Sequence, residues 1–214
     1  MNEYDSNRIV DLLQKNNYIL TKNVEEASCY ILNTCHIREK ARHKVLSRLG
    51  VLRPLKKESK KPTIAVTGCV AQAEGKKLLA SNPSIDILLG PGKIAELPRL
   101  LKEHKSSRKQ VIAIGFEKKE ESKEKLKEEE STAIPKTLLE SNTVESMGRT
   151  AISRFLTIQR GCDNFCTFCV VPRTRGREIS EPIDKLYKQA KELVDKGVLE
   201  ITLLGQNVKM LIAT

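Results

Sequence analysis

Apolar residues recur along the first half of the chain in two alternating rhythms. Residues 6–15 carry Ile9, Val10, Leu12 and Leu13 at helical spacing, and residues 29–33 (CYILN) form a short apolar run that reads as a strand. Residues 36–52 return to the helical rhythm, with Ala41, Val45, Leu49 and Leu52 on one side and charged side chains mostly on the other. A second strand follows at 63–67 (TIAVT). Then come a helix over 71–80, an apolar strand over 85–89, a turn at Gly90, Pro91 and Gly92, and a helix over 94–102. Strands alternating with helices predict an α/β unit on an open, mainly parallel sheet, spanning residues 1–116.

The rhythm stops at 117–131 (EKKEESKEKLKEEES), where Leu126 is the one apolar residue. Such a stretch cannot bury a core; it is either a solvated helix stitched by charge pairs four residues apart or a disordered tether. A linker is therefore expected over 117–150. From 151 a second unit begins, with a strand at 154–159 (RFLTIQ), a cysteine-rich loop over 161–177, a helix over 182–196 and a strand at 199–204. That is a single βαβ unit. A two-stranded parallel sheet leaves its edges and much apolar surface uncovered.

Composition narrows the class. With 39% hydrophobic and 30% charged residues, 4 Phe, 4 Tyr and no Trp, the chain has aliphatic content for a core, which argues against disorder along its whole length. The net charge is +11. A polyanionic partner and a lysine-rich proteome account for it equally well, so charge alone does not choose. The first residues, MNEYDSNRIVDLL, hold acids where an export signal would be basic and then apolar, and no apolar run reaches the roughly 18 residues that span a bilayer. The expectation is a cytoplasmic protein with no membrane partner. Six cysteines in a reducing compartment point to metal ligands, redox groups or buried thiols rather than disulfides.

Cys162, Cys166 and Cys169 form C-x3-C-x2-C in a loop directly after a strand. Three thiolates this close can converge on one metal centre. A tetrahedral zinc site needs a fourth ligand, and His36, His43 and His104 all lie far upstream. A four-iron cube held by three cysteines keeps one iron open to a small molecule. A thioredoxin-like pair, Cys166 and Cys169, would leave Cys162 unexplained. Cys35 and Cys69 each sit at the carboxyl end of an apolar strand, the edge of a parallel sheet where ligands gather. Two thiols are too few for a cluster. Cys29, at the opposite end of its strand, reads as a core thiol. Gly90, Pro91, Gly92 and Lys93 lack phosphate-loop spacing and read as a turn.

Five stretches together carry a resemblance: NTCHIREKA at 33–41, GCVAQAEG at 68–75, DILLGPGKIAELPRLL at 86–101, QRGCDNFCTFCVVPRTRGREISEP at 159–182 and LLGQNV at 203–208. They resemble the successive signatures of the MiaB-type radical S-adenosylmethionine tRNA methylthiotransferases and cover nearly the whole chain. The resemblance implies a methylthiotransferase domain over 1–116 and, over 151–214, the start of a partial (β/α)6 barrel. It implies two 4Fe-4S clusters, one on Cys162, Cys166 and Cys169, which are also the catalytic residues, and an auxiliary one on Cys35 and Cys69. It further implies S-adenosylmethionine as cosubstrate, with Phe168 against its adenine and Gly205, Gln206 and Asn207 among its contacts. The implied partners are the anticodon stem-loop of tRNA and an electron donor such as flavodoxin or ferredoxin, with no DNA. The implied reaction is methylthiolation of C2 of N6-isopentenyladenosine at tRNA position 37, started by a 5′-deoxyadenosyl radical.

Arg173, Arg175 and Arg177 alternate along the cluster loop and are candidates for RNA phosphates; pairing with Glu178 and Glu181 is the alternative. The family's text opens with a strand ending in Gly-Cys-Gln before the residues that here begin at Met1, and it runs on past GQNV where this chain reads KMLIAT. The expectation is a chain truncated at both ends, lacking the third auxiliary ligand and incomplete as an enzyme. Two other readings stay open: a non-catalytic remnant, and a zinc- or RNA-binding module.

Overall fold

The computed structural model describes residues 1–36, 39–56, 62–116, 152–195 and 197–208. The linker expected over 117–150 and the KMLIAT segment lie outside them. The chain divides into two compact units, the first holding Asn2–Phe116 with Arg173–Arg175, the second the described residues from 152 onwards other than those three.

The first unit is α/β. Its elements run α1 (Asn2–Gln14), β1 (Cys29–Thr34), α2 (Glu39–Leu55), β2 (Thr63–Gly68), α3 (Cys69–Glu74), α4 (Lys76–Ser81), β3 (Ile87–Leu89), a 3-10 turn (Pro91–Glu96), α5 (Leu97–Ser107) and β4 (Val111–Ala113). The four strands pair in chain order, and every pairing is parallel. Side chains on a strand alternate between faces, and here the alternation splits the core in two. Ile64, Val66 and Leu88 face α2, α3 and α4, meeting Val45, Leu49, Leu52, Val70, Ala71, Leu78 and Leu79. Ala65, Ile87 and Leu89 face the other way, against Ile9 and Leu13 of α1 and Leu97, Leu100 and Leu101 of α5. The sheet is thus covered on both faces, which is why β2 and β3 read as continuous apolar runs rather than as alternating ones.

The structure refines two expectations and adds a strand. The helix expected over 71–80 is two short helices, broken where the Gly75 amide closes onto Ala71 O and its carbonyl accepts from Leu78. His36 precedes α2 instead of lying on it, while His43 is exposed on that helix. Strand β4 follows a helix end at Arg108, which adopts a left-handed φ of 55°. Just before β3, Asp86 is buried and accepts from the Ile64 amide at 2.9 Å and from Lys56 Nζ at 2.5 Å, with His104 Nε2 at 3.4 Å. This carboxylate fastens β2, the end of α2 and α5 to the start of β3.

The second unit holds β5 (Ser153–Thr157), β6 (Gln159–Arg160), the first two residues of α6 (Val171–Thr174), β7 (Ile179–Ser180), α7 (Ile183–Asp195) and β8 (Glu200–Leu204). Strands β5 and β8 pair in parallel, from Ser153 opposite Glu200 to Thr157 opposite Leu204, with α7 as the crossover. Strands β6 and β7 form a short antiparallel pair that the apolar pattern does not signal. Leu156, Ile158, Leu193 and Val198 are buried, while Tyr187, Val194, Leu199 and Leu203 are exposed, as expected of a sheet this narrow.

Candidate functional site

Two sets of cysteines stand at strand ends, one in each unit. In the first, the β1–β2 register ends with Thr34 opposite Gly68, so the next residues, Cys35 and Cys69, leave adjacent parallel strands side by side. Gly68 has a φ of 93°, and a Cβ there would stand 2.3 Å from Thr34 O. Only glycine lets the two strands meet so closely just before the thiols. Thr34, itself buried, donates its hydroxyl to Thr67 O at 2.6 Å and accepts from the Val70 amide at 3.2 Å. It therefore ties the ends of β1 and β2 to the first turn of α3, on which Cys69 sits. Asn33 donates to Asn2 O and to Ser6 Oγ, both at 2.8 Å, and brings the start of α1 to the same edge.

Arg175 belongs to this unit and forms a 2.6 Å ion pair with Asp5, which is 6% exposed. Burial works against the guanidinium charge, but Asp5 outweighs it and the Cys69 sulfur adds on the same side, so Arg175 is held more firmly protonated than usual. Of the three arginines considered for RNA, then, Arg175 is committed to a buried carboxylate. Arg173 is exposed; Arg177 is exposed too and pairs with Asp163 at 2.8 Å, its guanidinium 5.0 Å from the Phe165 ring centre. Glu181 pairs with Lys185, and the Glu178 amide donates to Asp163 Oδ1.

In the second unit the cysteine loop leaves β6 and returns through β7. Its base is closed by the Cys162 amide donating to Gly176 O and by the Glu181 amide donating to Ile158 O. Gly161 has a φ of 75°, and a Cβ there would lie 2.1 Å from Arg177 O, so a glycine again precedes a cysteine where two segments touch. Cys162 is buried, Cys166 exposed and Cys169 half-buried, with the Cys169 amide closing a turn onto Cys166 O. Phe168 projects from the loop and is 92% exposed. Beyond β8, the Gln206 and Asn207 amides both donate to the Gln159 side-chain oxygen.

A family profile described as the Radical SAM superfamily matches residues 156–213, and one described as Uncharacterized protein family UPF0004 matches residues 1–90. Over 97% of its length the chain is similar to proteins named tRNA-2-methylthio-N(6)-dimethylallyladenosine synthase. It is 44% identical to the one from Pelagibacter ubique, 46% to that from Agrobacterium fabrum and 46% to one from Cereibacter sphaeroides. Its second unit thus matches the Radical SAM superfamily model, and the chain as a whole is similar to these tRNA methylthio synthases. It spans 43% of the length of these relatives.

The cysteine donors of the loop suit the iron–sulfur group that the Radical SAM match implies. All six cysteines are free thiols, and soft thiolate ligands favour iron–sulfur or zinc centres over hard cations. Among the described residues no three His, Cys, Asp or Glu side chains already converge as a metal site. The cysteine loop is closed at its base, while Cys166 and its neighbours are exposed. Sequence reasoning located Cys35 and Cys69 at strand ends and the other three cysteines in a loop after a strand, but missed Thr34, Asp5 and Gln159. Their partners lie 33, 170 and 47 residues away in sequence, which no local pattern encodes.

Proposed function

We propose that this chain carries the cluster-bearing part of a tRNA methylthiotransferase, acting on C2 of N6-isopentenyladenosine at tRNA position 37. In this reading residues 1–116 form the methylthiotransferase domain and residues 151–214 the start of the radical domain. The observation that carries it is the cysteine loop: three free thiols in eight residues, closed at the base by β6 and β7, beside the turn that follows β8.

Cys162, Cys166 and Cys169 would hold a 4Fe-4S cluster, and Cys35 and Cys69 would contribute to a second, auxiliary one. Bound to the loop, a cluster with one iron free of protein ligands supplies a chelation point for S-adenosylmethionine and an electron for its sulfonium. The protein's own residues bind and orient. Exposed Phe168 would meet the adenine with its apolar ring, and Gly205, Gln206 and Asn207 would be among the residues holding the cosubstrate. Gly68 and Thr34 keep Cys35 and Cys69 adjacent. Of the three loop arginines, Arg173 and Arg177 are exposed to meet RNA phosphates. A flavodoxin or ferredoxin would be the electron source in the cytoplasm. No helix among the described residues is long and apolar enough to cross a membrane.

Anaerobic reconstitution of the whole chain with iron and sulfide tests the reading. The expected protein is brown, absorbs near about 400 nm, and gives a cubane signal by paramagnetic resonance after reduction. Replacing Cys162, Cys166 and Cys169 together by alanine should remove the loop's share of about four irons and leave the Cys35 and Cys69 edge unaffected. A colourless protein holding one zinc would replace this reading with a zinc-binding module.

A further inference from the structure

Gln159 is the most deeply buried polar side chain of the second unit, with no exposed surface, and nothing above gives it a chemical task. Its amide is used from both ends. Nε2 donates to Gly161 O at 3.0 Å, one residue before Cys162. Oε1 accepts from the Gln206 amide at 2.7 Å and the Asn207 amide at 3.0 Å. The two backbone donors require the oxygen on their side and the Gly161 carbonyl requires the nitrogen on the other, so the amide has one possible orientation. Gly205 packs directly on it: a Cβ there would stand 3.2 Å from Oε1. The turn so fixed carries a buried oxygen of its own, Gln206 Oε1, with no partner among the described residues, and Thr157 Oγ1 at the end of β5 is in the same condition. Buried acceptors of this kind are satisfied by a polar ligand or water.

We propose that Gln159 is a positioning residue that locks the cysteine loop and the 205–207 turn into one rigid piece, so that a cosubstrate held at the loop meets the turn already in place. The proposal rests on the function proposed above. A fully satisfied buried amide resists displacement, because removing it leaves the Gly161 carbonyl and two backbone N–H groups unpaired at once.

Two variants separate the arms. Gln159→Leu removes both. Gln159→Glu keeps an oxygen for the two amides but sets a carboxylate against the Gly161 carbonyl, so only the loop arm is lost. Amide hydrogen exchange of the whole chain, without metal, reads the lock directly. Exchange at Gln206 and Asn207 should rise at least about tenfold in Gln159→Leu and stay near wild type in Gln159→Glu. After reconstitution, iron per chain should be equal in all three proteins, whereas S-adenosylmethionine affinity should fall about 10- to 100-fold in both variants. That affinity is read from the cosubstrate's effect on the reduced paramagnetic spectrum. Unchanged exchange in Gln159→Leu would overturn the lock. Faster exchange with unchanged affinity would make Gln159 merely structural and overturn its positioning role. A wild-type chain that assembles no cluster would overturn the proposed function instead, and the exchange experiment, needing no iron, would still decide the lock.

Discussion

Single residues decide where the thiols stand. Gly68 and Gly161 each precede a cysteine, each has a left-handed φ, and each leaves no room for a side chain against a carbonyl. Changing either to alanine should destabilise its unit by about 2 kcal/mol or more, from backbone strain plus the clash, measured by urea denaturation. Cys29 is the contrasting case. Burial, with the Asp86 carboxylate adding to it, pushes its thiol from 9.0 up to about 12. A raised pKa means that the folded state holds the proton more tightly than the unfolded chain does. Its stabilisation is therefore complete below about pH 9 and is lost as pH rises towards about 12. Denaturation midpoints taken at rising pH should fall less steeply in Cys29→Ala than in wild type. Cys29 was legible as a core thiol from its place at the start of a strand. The commitment of Arg175 to Asp5 was not, because a partner 170 residues away leaves no local trace.

Among the elements, those long enough to show a period, or set in a continuous apolar run as β3 is, were readable, and those with neither were not. Helices α1, α2, α5 and α7 and strands β1, β2, β5 and β8 follow the apolar spacing of their segments. Strands β4, β6 and β7, of 3, 2 and 2 residues, are too short to display an alternation, and they exist because neighbours supply ladder partners. On α2 the inward and outward faces should separate cleanly. Leu49→Ala, at 1% exposure, should cost about 2–5 kcal/mol, while Val51→Ala, at 62%, should stay within about 0.5 kcal/mol. Asp86→Ala should cost roughly 3 kcal/mol, since it strands Lys56 and the Ile64 amide together. Asp86→Asn, which keeps one acceptor, should cost less in the same denaturation assay.

For the whole molecule, the net charge of +11 sets the terms of any RNA encounter. Binding of an anticodon stem-loop RNA should weaken steeply with salt, and Arg173→Ala should reduce the slope of log affinity against log salt by about one. Arg175→Ala should lower stability instead of altering the salt slope, its charge being neutralised by Asp5. The amino-acid order alone determined the α/β class, the parallel sheet and the grouping of cysteines at strand ends, because periodicity and spacing are local properties of the chain. Only the tertiary structure decided that Thr34 and Gly68 bring Cys35 beside Cys69, that Arg175 answers a buried carboxylate, and that Gln159 joins the cysteine loop to the turn after β8. Those contacts join residues distant in sequence. Their energy comes from burial and hydrogen-bond geometry that exists only once the strands have paired.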